Sequence, residues 1–177
     1  MTPTPPKIVL IIASVREGRI GPTVADWFID QIDPSDLDLE VLDVARASEP
    51  DTSELLARAD GFVIATPEYN HSYPGHLKVL IDEHGPEWSR KPVMFVSYGG
   101  VSGGLRAVEH LRAVFAELHA VGTQTGVVIH APWEHTVDGR LVLDEVAAAS
   151  AREAMRELLW WAELLKPTRT SGERGAA

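Results

Sequence analysis

Three short runs of aliphatic and β-branched residues limit the fold of this chain more than any other feature. They occupy residues 8–13, 61–66 and 92–97, and each is apolar along nearly its whole length. A strand that is apolar on both faces is typical of the interior of a parallel sheet, because helices cover both faces there. The runs therefore predict the central strands of a mostly parallel sheet.

Apolar residues at helical spacing separate these strands. The spacing predicts five helices, which follow Gly21-Pro22, occupy residues 52–59, open at Pro74, carry the stripe 108–118 and follow Asp144. Two more strands are predicted at 37–44 and 124–130, and Asp138-Gly139 predicts a tight turn. This alternation predicts an α/β fold, a three-layer sandwich around a five-stranded parallel sheet.

The length of 177 residues suits one domain that spans the whole chain, residues 1–177. The last part, from about residue 167 to residue 177, is polar and contains glycine. We expect this tail to be disordered, because it offers few side chains that could be buried.

Composition and charge exclude several classes of protein. The chain has no cysteine, which excludes disulfides, thiolate metal sites and cysteine nucleophiles. Its net charge of −10 repels phosphate backbones and argues against a nucleic-acid partner. The longest apolar runs are far shorter than the roughly 20 residues that span a bilayer, so no membrane partner is expected. The polar N-terminus lacks the pattern of a signal peptide, and we expect a cytoplasmic location.

A ligand of such a sheet is expected beyond the carboxyl ends of the strands, where the strand order reverses. For the order 2-1-3-4-5 this point lies between the first and third strands. Three loops come together there in the predicted fold: residues 14–21, 67–73 and 97–104.

The first loop carries Ser14, Arg16 and Arg19 and leads into a helix N-terminus. Free backbone N–H groups, the positive helix end and arginine side chains all favour a phosphate. The loop lacks both the glycine fingerprint of dinucleotide folds and the Gly-Lys-Ser/Thr of a P-loop. A monophosphate therefore fits best, although an ordinary solvated loop is the alternative.

The other two loops suit a flat ligand. Residues 67–75 mix aromatic and amide groups, and residues 97–104 are rich in glycine. Glycines let backbone donors approach a planar ring closely, as at the edge of an isoalloxazine. Taken alone, the glycine-rich segment could equally be a loop that starts a helix.

These residues carry a family resemblance over roughly residues 7–130. The segment from Ala13 to Arg16 resembles a phosphate loop, and Pro67-Glu68-Tyr69-Asn70 begins a distinctive stretch that runs to Asp82. Further matches lie at 87–88, 91–93, 97–100, 103–104 and 106–107. On these motifs the chain resembles the NAD(P)H-dependent FMN reductase family of flavodoxin-like proteins.

The resemblance implies which residues bind FMN. In this family the phosphate would lie at the first loop, and the isoalloxazine ring would lie between the second and third loops. The implied cofactor-binding residues are Ser14, Arg16, Arg19, Ile20, Pro67, Glu68, Tyr69, Asn70, Ser97, Tyr98, Gly99 and Gly100. No residue is implied as catalytic, and no metal is implied, because a flavin carries the redox chemistry itself.

The resemblance also implies an activity. The protein would be an enzyme in which NAD(P)H reduces bound FMN, and a flavin, quinone, azo compound or similar small acceptor then takes the electrons in ping-pong order. Members of the family are commonly homodimers or homotetramers. The alternative is a flavodoxin-type electron carrier that binds FMN without its own NAD(P)H activity. A third possibility, a flavin-dependent regulatory protein, has no positive sign in the sequence.

Two other features have ordinary interpretations. His130 and His135 could suggest a metal site, but their spacing is not helical and no third ligand is evident, so we assign them to the rim of the sheet. Trp160 and Trp161 lie on a helix that is apolar nearly all round. We expect partial burial in the core, with any excess apolar face packed on another subunit.

Overall fold

The computed structural model describes residues 4–47 and 51–170, and strands alternate with helices through both ranges. The strands are β1 Lys7–Ile12, β2 Asp38–Asp43, β3 Gly61–Pro67, β4 Pro92–Gly99, β5 Val121–Gly122, β6 Val127–His130, β7 Thr136–Val137 and β8 Arg140–Leu141. The helices are α1 Gly21–Ile29, α2 Asp51–Arg58, α3 Gly75–Glu83, α4 Gly85–Trp88, α5 Leu105–Glu117 and α6 Glu145–Thr170. Short 3₁₀ turns lie at Val44–Arg46 and Pro132–His135.

The main sheet is parallel throughout, in the order β2-β1-β3-β4-β5, and β6 also pairs with β4. The predicted α/β class and strand order are therefore confirmed. The point where the order reverses lies between β1 and β3, which pair from Ile8 with Gly61 to Ile12 with Ala65. The carboxyl ends of these two strands and of β4 share one edge of the sheet.

The fifth strand is divided in two, which the sequence pattern did not predict. Residues 121–122 and 127–130 pair with β4, and the segment between them leaves the ladder. The backbone N–H groups of Gln124 and Thr125 instead donate to the carboxylate of Glu157 on α6, each at 2.8 Å. A carboxylate acceptor on the neighbouring helix thus replaces the strand partner, and the edge strand is interrupted.

Alternation along the central strands builds a core on each face of the sheet. In β1, Ile8 and Leu10 point to the face covered by α1 and α6, whereas Val9 and Ile11 point to the face covered by α2, α3 and α5. This arrangement explains why these strands are apolar on both faces. It also confirms the three-layer sandwich.

The long last helix includes residues 167–170, the first part of the tail that was predicted to be disordered from about residue 167. Helix α6 continues through Pro167 to Thr170. Its last turn is fixed at the end of the sheet where the strands begin. Arg169 donates there to Asp60 at 2.5 Å and to the carbonyl of Arg90 at 3.2 Å. Lys166 reaches the same Asp60 carboxylate at 3.0 Å. Residues 171–177 lie outside the described residues.

The hairpin of β7 and β8 confirms the predicted tight turn. The two strands are antiparallel, and Asp138 and Gly139 between them both have positive φ, at 48° and 77°. Two consecutive residues of positive φ are the mark of a two-residue hairpin turn whose twist matches that of the strands.

None of the helices in residues 4–47 and 51–170 combines the length and apolarity needed to cross a bilayer.

Candidate functional site

The three predicted loops meet in one cleft of about 300 Å³ at the carboxyl ends of β1, β3 and β4. Its walls contain all of the residues implied by the family resemblance except Asn70 and Ser97. Three lining residues were not predicted, and they are Glu17, Gly18 and Trp133. The fold therefore brings segments that are far apart in the chain to a single site.

A larger cavity of about 420 Å³ lies elsewhere, between α1 and the β7–β8 hairpin. Asp26, Asp30 and Arg140 are among the residues that line it. None of the described residues that line this cavity belongs to the three loops. The smaller cleft is the better candidate, because it lies where the strand order reverses and where doubly wound sheets bind their ligands.

The deep end of the cleft contains two buried hydroxyl groups. Ser14 is 1% exposed and Tyr98 is 3% exposed, and within the described residues neither hydroxyl makes a hydrogen bond of normal geometry. Both groups lie against Gly21 at the start of α1. A Cβ atom placed on Gly21 would lie 2.1 Å from Ser14 Oγ and 2.8 Å from the Tyr98 hydroxyl, so this close approach requires glycine.

Both hydroxyls are available as neutral donors. Burial is the main cause that raises the pKa of the Tyr98 phenol well above its ordinary value, and the neighbouring Ser14 hydroxyl opposes this only in part. Nearby, among the described residues, no side chain caps the N-terminus of α1. Two hydroxyl donors and an uncapped helix start form a pocket that suits an anion.

The predicted site residue Arg19 is paired with other protein groups in the structure. Its guanidinium pairs with the Asp43 carboxylate at the end of β2, with contacts of 2.6 and 2.5 Å, and also donates to the Ser14 carbonyl at 2.6 Å. The hydrogen bond from Arg19 is the main cause that lowers the pKa of Asp43. Arg19 thus positions the loop and the Ser14 backbone, and Ile20 beside it is the N-cap residue of α1.

Arg16 remains the exposed cation of this loop. Its guanidinium carbon lies 3.7 Å from the centre of the Tyr69 ring, which is a cation–π contact between the first and second loops. Such a contact is weak at an exposed site, roughly 0.5–1 kcal/mol. An incoming anion can therefore draw Arg16 away from Tyr69 at small cost.

Glu68 joins the second loop to the third. Its carboxylate accepts hydrogen bonds from the Ser102 hydroxyl and from Arg106, the latter at 2.8 Å. Burial opposes the charged form, but these two donors outweigh it and lower the pKa of Glu68. The Glu68 side chain is thus committed to holding the loops together, and its backbone N–H donates to the Tyr98 carbonyl at 3.0 Å.

Asn70 lies at the tip of a tight turn. The backbone groups of Tyr69 and Ser72 exchange hydrogen bonds of 2.7 and 3.1 Å, and Asn70 and His71 between them have φ of 50° and 73°. Asparagine tolerates this conformation better than most residues. Ser72 Oγ lies 2.9 Å from Nδ1 of His110 on α5, which anchors the turn.

The third loop folds back tightly on the end of β4. Gly104 has φ of 89°, and a Cβ there would lie 2.7 Å from the Tyr98 backbone nitrogen. Ser97 is fully buried, and its hydroxyl reaches the Val127 carbonyl at 3.5 Å rather than the cleft. Tyr98, Gly99 and Gly100 are the residues of this loop that line the cleft.

Trp133 is a site residue that sequence reasoning missed. It lies in the 3₁₀ turn after β6, and a Cβ on Gly100 would lie 3.9 Å from the edge of its ring. The signal was present, because residues 130–135 follow a strand at the same edge of the sheet. The nearby His130 has its Nδ1 atom 3.3 Å from the Gly100 carbonyl.

No group of three or more potential metal ligands occurs within residues 4–47 and 51–170.

Comparison with known proteins agrees with this geometry. The sequence pattern of the NADPH-dependent FMN reductase family matches residues 6–134. The chain belongs to this family. Membership confirms the resemblance seen in the sequence, places the protein among the oxidoreductases, and implies FMN as cofactor and NAD(P)H as co-substrate.

Curated relatives carry related names. The chain is 36% identical over 121 residues to an NAD(P)H-dependent FMN reductase of Schizosaccharomyces pombe, a match that covers 56% of this chain and 60% of that protein. It is 35% identical over 136 residues to a quinone reductase of Escherichia coli K12, covering 65% of this chain and 72% of the relative.

A solved structure agrees at the level of the fold. FerB from Paracoccus denitrificans, a flavoenzyme NAD(P)H:(acceptor) oxidoreductase, superposes with a TM-score of 0.74 at 19% identity. The match covers 90% of this chain and 98% of that chain. It confirms the predicted flavodoxin-like fold.

The cleft fits FMN by its own chemistry. The buried hydroxyls of Ser14 and Tyr98 need hydrogen-bond partners, and the uncapped start of α1 favours an anion, so a phosphate fits the deep end. The backbone around Pro67, Gly99 and Gly100 offers polar groups close to the rest of the cleft without bulky side chains. The residues present are therefore compatible with the cofactor that the family implies.

Proposed function

We propose that this protein is an FMN-dependent NAD(P)H oxidoreductase that transfers electrons to a small acceptor, such as a flavin, a quinone or an azo compound, in ping-pong order. The observation that carries the proposal is the pair of buried hydroxyls of Ser14 and Tyr98 at the start of α1. Unsatisfied buried donors are destabilising, and each calls for a ligand or another polar partner.

The first loop would hold the phosphate. Ser14 donates from its hydroxyl, the start of α1 adds its backbone N–H groups, and Arg16 moves from Tyr69 to supply a charge-assisted hydrogen bond. Arg19, held by Asp43, fixes the shape of the loop through the Ser14 carbonyl. The deep end of the cleft is thereby complementary to a dianion.

The second and third loops would hold the ring. Pro67 and the backbone of Glu68 and Tyr69 line one side, and Gly99 and Gly100 line the other. A flavin held there would supply the redox chemistry that links NAD(P)H to the second substrate. The Glu68 carboxylate, through its contacts with Ser102 and Arg106, links the second loop to the third loop and to the start of α5.

The main alternative is an electron-carrier flavodoxin. The exposed Arg16 in the first loop favours the enzyme, because carriers of this fold usually hold phosphate with hydroxyl residues and few arginines. The family match over residues 6–134 supports the same choice. The electron carrier is therefore the alternative that the following experiment is designed to exclude.

The test is the visible spectrum of the purified protein, followed by NADPH and NADH under anaerobic conditions. Flavin bands that bleach within seconds support the enzyme, and parallel double-reciprocal plots with a quinone support the ping-pong order. Bands that neither nucleotide bleaches would indicate the carrier. A protein that takes up no FMN would overturn both.

We also propose a homodimer or homotetramer. The exposed Trp160 and Leu164 on α6 support an apolar contact between copies of the chain. Light scattering of the purified protein measures the assembly directly, and a monomeric mass at micromolar concentration would contradict it. The cytoplasmic location expected from the sequence stays a prediction.

A further inference from the structure

We propose that Trp133 forms one wall of the acceptor subsite and makes the enzyme selective for planar aromatic acceptors of the bicyclic quinone class. The inference rests on the proposed function, and it adds to that function a residue that determines which acceptor binds. Trp133 is a large aromatic side chain that is exposed at the cleft rather than buried in the core.

Trp133 is one of the residues that line the cleft. Its side chain is 56% exposed, yet it lines the same cleft as Ser14, Tyr69 and Gly100. The edge of the indole lies beside Gly100, since a Cβ on that glycine would be 3.9 Å from it. Trp133 therefore borders the part of the cleft beside Gly100, which is assigned to the ring.

The backbone that presents Trp133 is specifically constrained. Ala131 has φ of 41°, a left-handed conformation that is unfavourable for alanine. Its N–H donates to the Gly99 carbonyl at 2.7 Å, its carbonyl accepts from Glu134 at 2.9 Å, and Thr136 Oγ1 donates to the Pro132 carbonyl at 2.9 Å. The turn is thus tied directly to the third loop, and the indole is held over the cleft at the expense of backbone strain.

The chemistry of the indole selects the ligand. An electron-rich aromatic face stacks best on a flat, electron-poor ring, and a naphthoquinone has these properties. Tyr69 is a second aromatic side chain in the same cleft, and Arg16 lies against its ring. A compact inorganic oxidant such as ferricyanide has no flat face, so Trp133 offers it nothing comparable.

The experiment measures menadione binding to the oxidised, FMN-loaded protein by calorimetry. NAD(P)H is left out, so that binding is separated from turnover. We expect Trp133→Ala to weaken menadione binding by about fivefold to tenfold, in line with the loss of one aromatic stacking contact. Trp133→Phe should stay within about twofold of the wild type. Val146→Ala is the control, because Val146 is an exposed apolar residue (73%) at the start of α6 and lies outside the cleft.

Steady-state kinetics give a second readout. Trp133→Ala should raise the KM for menadione by a similar factor and the KM for ferricyanide by a smaller one, whereas Val146→Ala should leave both KM values and the rate of flavin bleaching by NADPH unchanged. Equal effects on both acceptors would overturn the selectivity. Unchanged menadione affinity in Trp133→Ala would overturn the subsite.

Two further outcomes are separable. If Trp133→Ala weakens FMN binding and leaves menadione binding intact, Trp133 is a flavin contact and the inference is wrong. If the wild-type protein takes up no FMN, the proposed function fails, and this inference fails with it. FMN uptake with normal bleaching and an unaltered Trp133→Ala variant would leave the proposed function standing and reject only the subsite.

Discussion

The Ser14 hydroxyl and the Tyr98 hydroxyl lie together under the first turn of α1, both buried and neither with a hydrogen bond of normal geometry to the described residues. Ser14 follows β1 and Tyr98 belongs to β4, so residues 84 positions apart in number supply one polar pocket. A folded protein rarely leaves two such donors unsatisfied unless a ligand or ordered water completes them.

Replacing either hydroxyl should weaken FMN binding without harming the free protein. Ser14→Ala removes a hydrogen bond to a charged group, worth about 1.5–3 kcal/mol, which corresponds to roughly tenfold or more in affinity. Tyr98→Phe removes a neutral donor, with a smaller loss of about 0.5–1.5 kcal/mol. Because neither hydroxyl makes a hydrogen bond of normal geometry to the described residues, the melting temperature of the FMN-free protein should not fall. Fluorescence titration with FMN and thermal unfolding measure the two effects, and a lower melting temperature with normal FMN affinity would contradict the assignment.

Arg16 should contribute to FMN binding but not to the fold. Arg16→Ala should weaken FMN binding roughly tenfold through the loss of a charge-assisted contact. FMN at 100 times its dissociation constant should stabilise the wild-type protein by about 2.7 kcal/mol, and at the same FMN concentration the variant should gain less. Arg156→Ala is the control, because the Arg156 side chain is 68% exposed on α6 and does not line the cleft. Equal FMN affinity in both variants would remove the phosphate role of Arg16.

The ion pair of Arg19 and Asp43 should affect FMN binding indirectly. Asp43→Asn leaves the cleft residues unchanged but frees the Arg19 guanidinium, so the first loop loses its anchor at the end of β2. We expect both Asp43→Asn and Arg19→Ala to weaken FMN binding several-fold. If Arg19 is a direct phosphate ligand instead, only Arg19→Ala will do so, and Asp43→Asn will bind as well as the wild type or better. Titration of the two variants side by side distinguishes these roles.

Lys91 should make the free energy of unfolding rise with pH in the alkaline range. The side chain is 5% exposed and donates to the carbonyls of Leu56 and Ala57 at the end of α2, at 2.7 and 2.9 Å. Burial is the main cause that lowers the pKa of Lys91 to about 8. Between about pH 8 and the ordinary lysine pKa near 10.4, the unfolded chain binds more protons than the folded one, so this group adds stability as the pH rises.

Urea unfolding of wild type and Lys91→Met checks this sign. The two proteins share every other titrating group, so the difference between their free energies of unfolding isolates Lys91. The wild type should gain stability relative to Lys91→Met from pH 8 to pH 10. A constant difference across this range would show that Lys91 keeps an ordinary pKa in the folded state.

Local sequence patterns were sufficient to predict the α/β architecture and the location of the cleft. Residues 8–13, 61–66 and 92–97 are apolar on both faces because helices cover both sides of the sheet, and that requirement is visible in the sequence itself. The loops that follow these strands must then share one edge, since parallel strands end on the same side. The cleft could therefore be located before any coordinates were known, and most of its lining residues with it.

Side-chain partners depended on the tertiary structure. The sequence shows that Arg19, Glu68 and Ser97 stand in the right loops, but not that Arg19 meets Asp43, that Glu68 meets Arg106 or that Ser97 turns into the core. Nor does it show that Asp60 holds Arg169 and carries α6 past Pro167, or that the turn after Ala131 brings Trp133 to the cleft. Strand periodicity is a local property of the chain, whereas each of these contacts joins groups that only folding brings within hydrogen-bond or van der Waals distance.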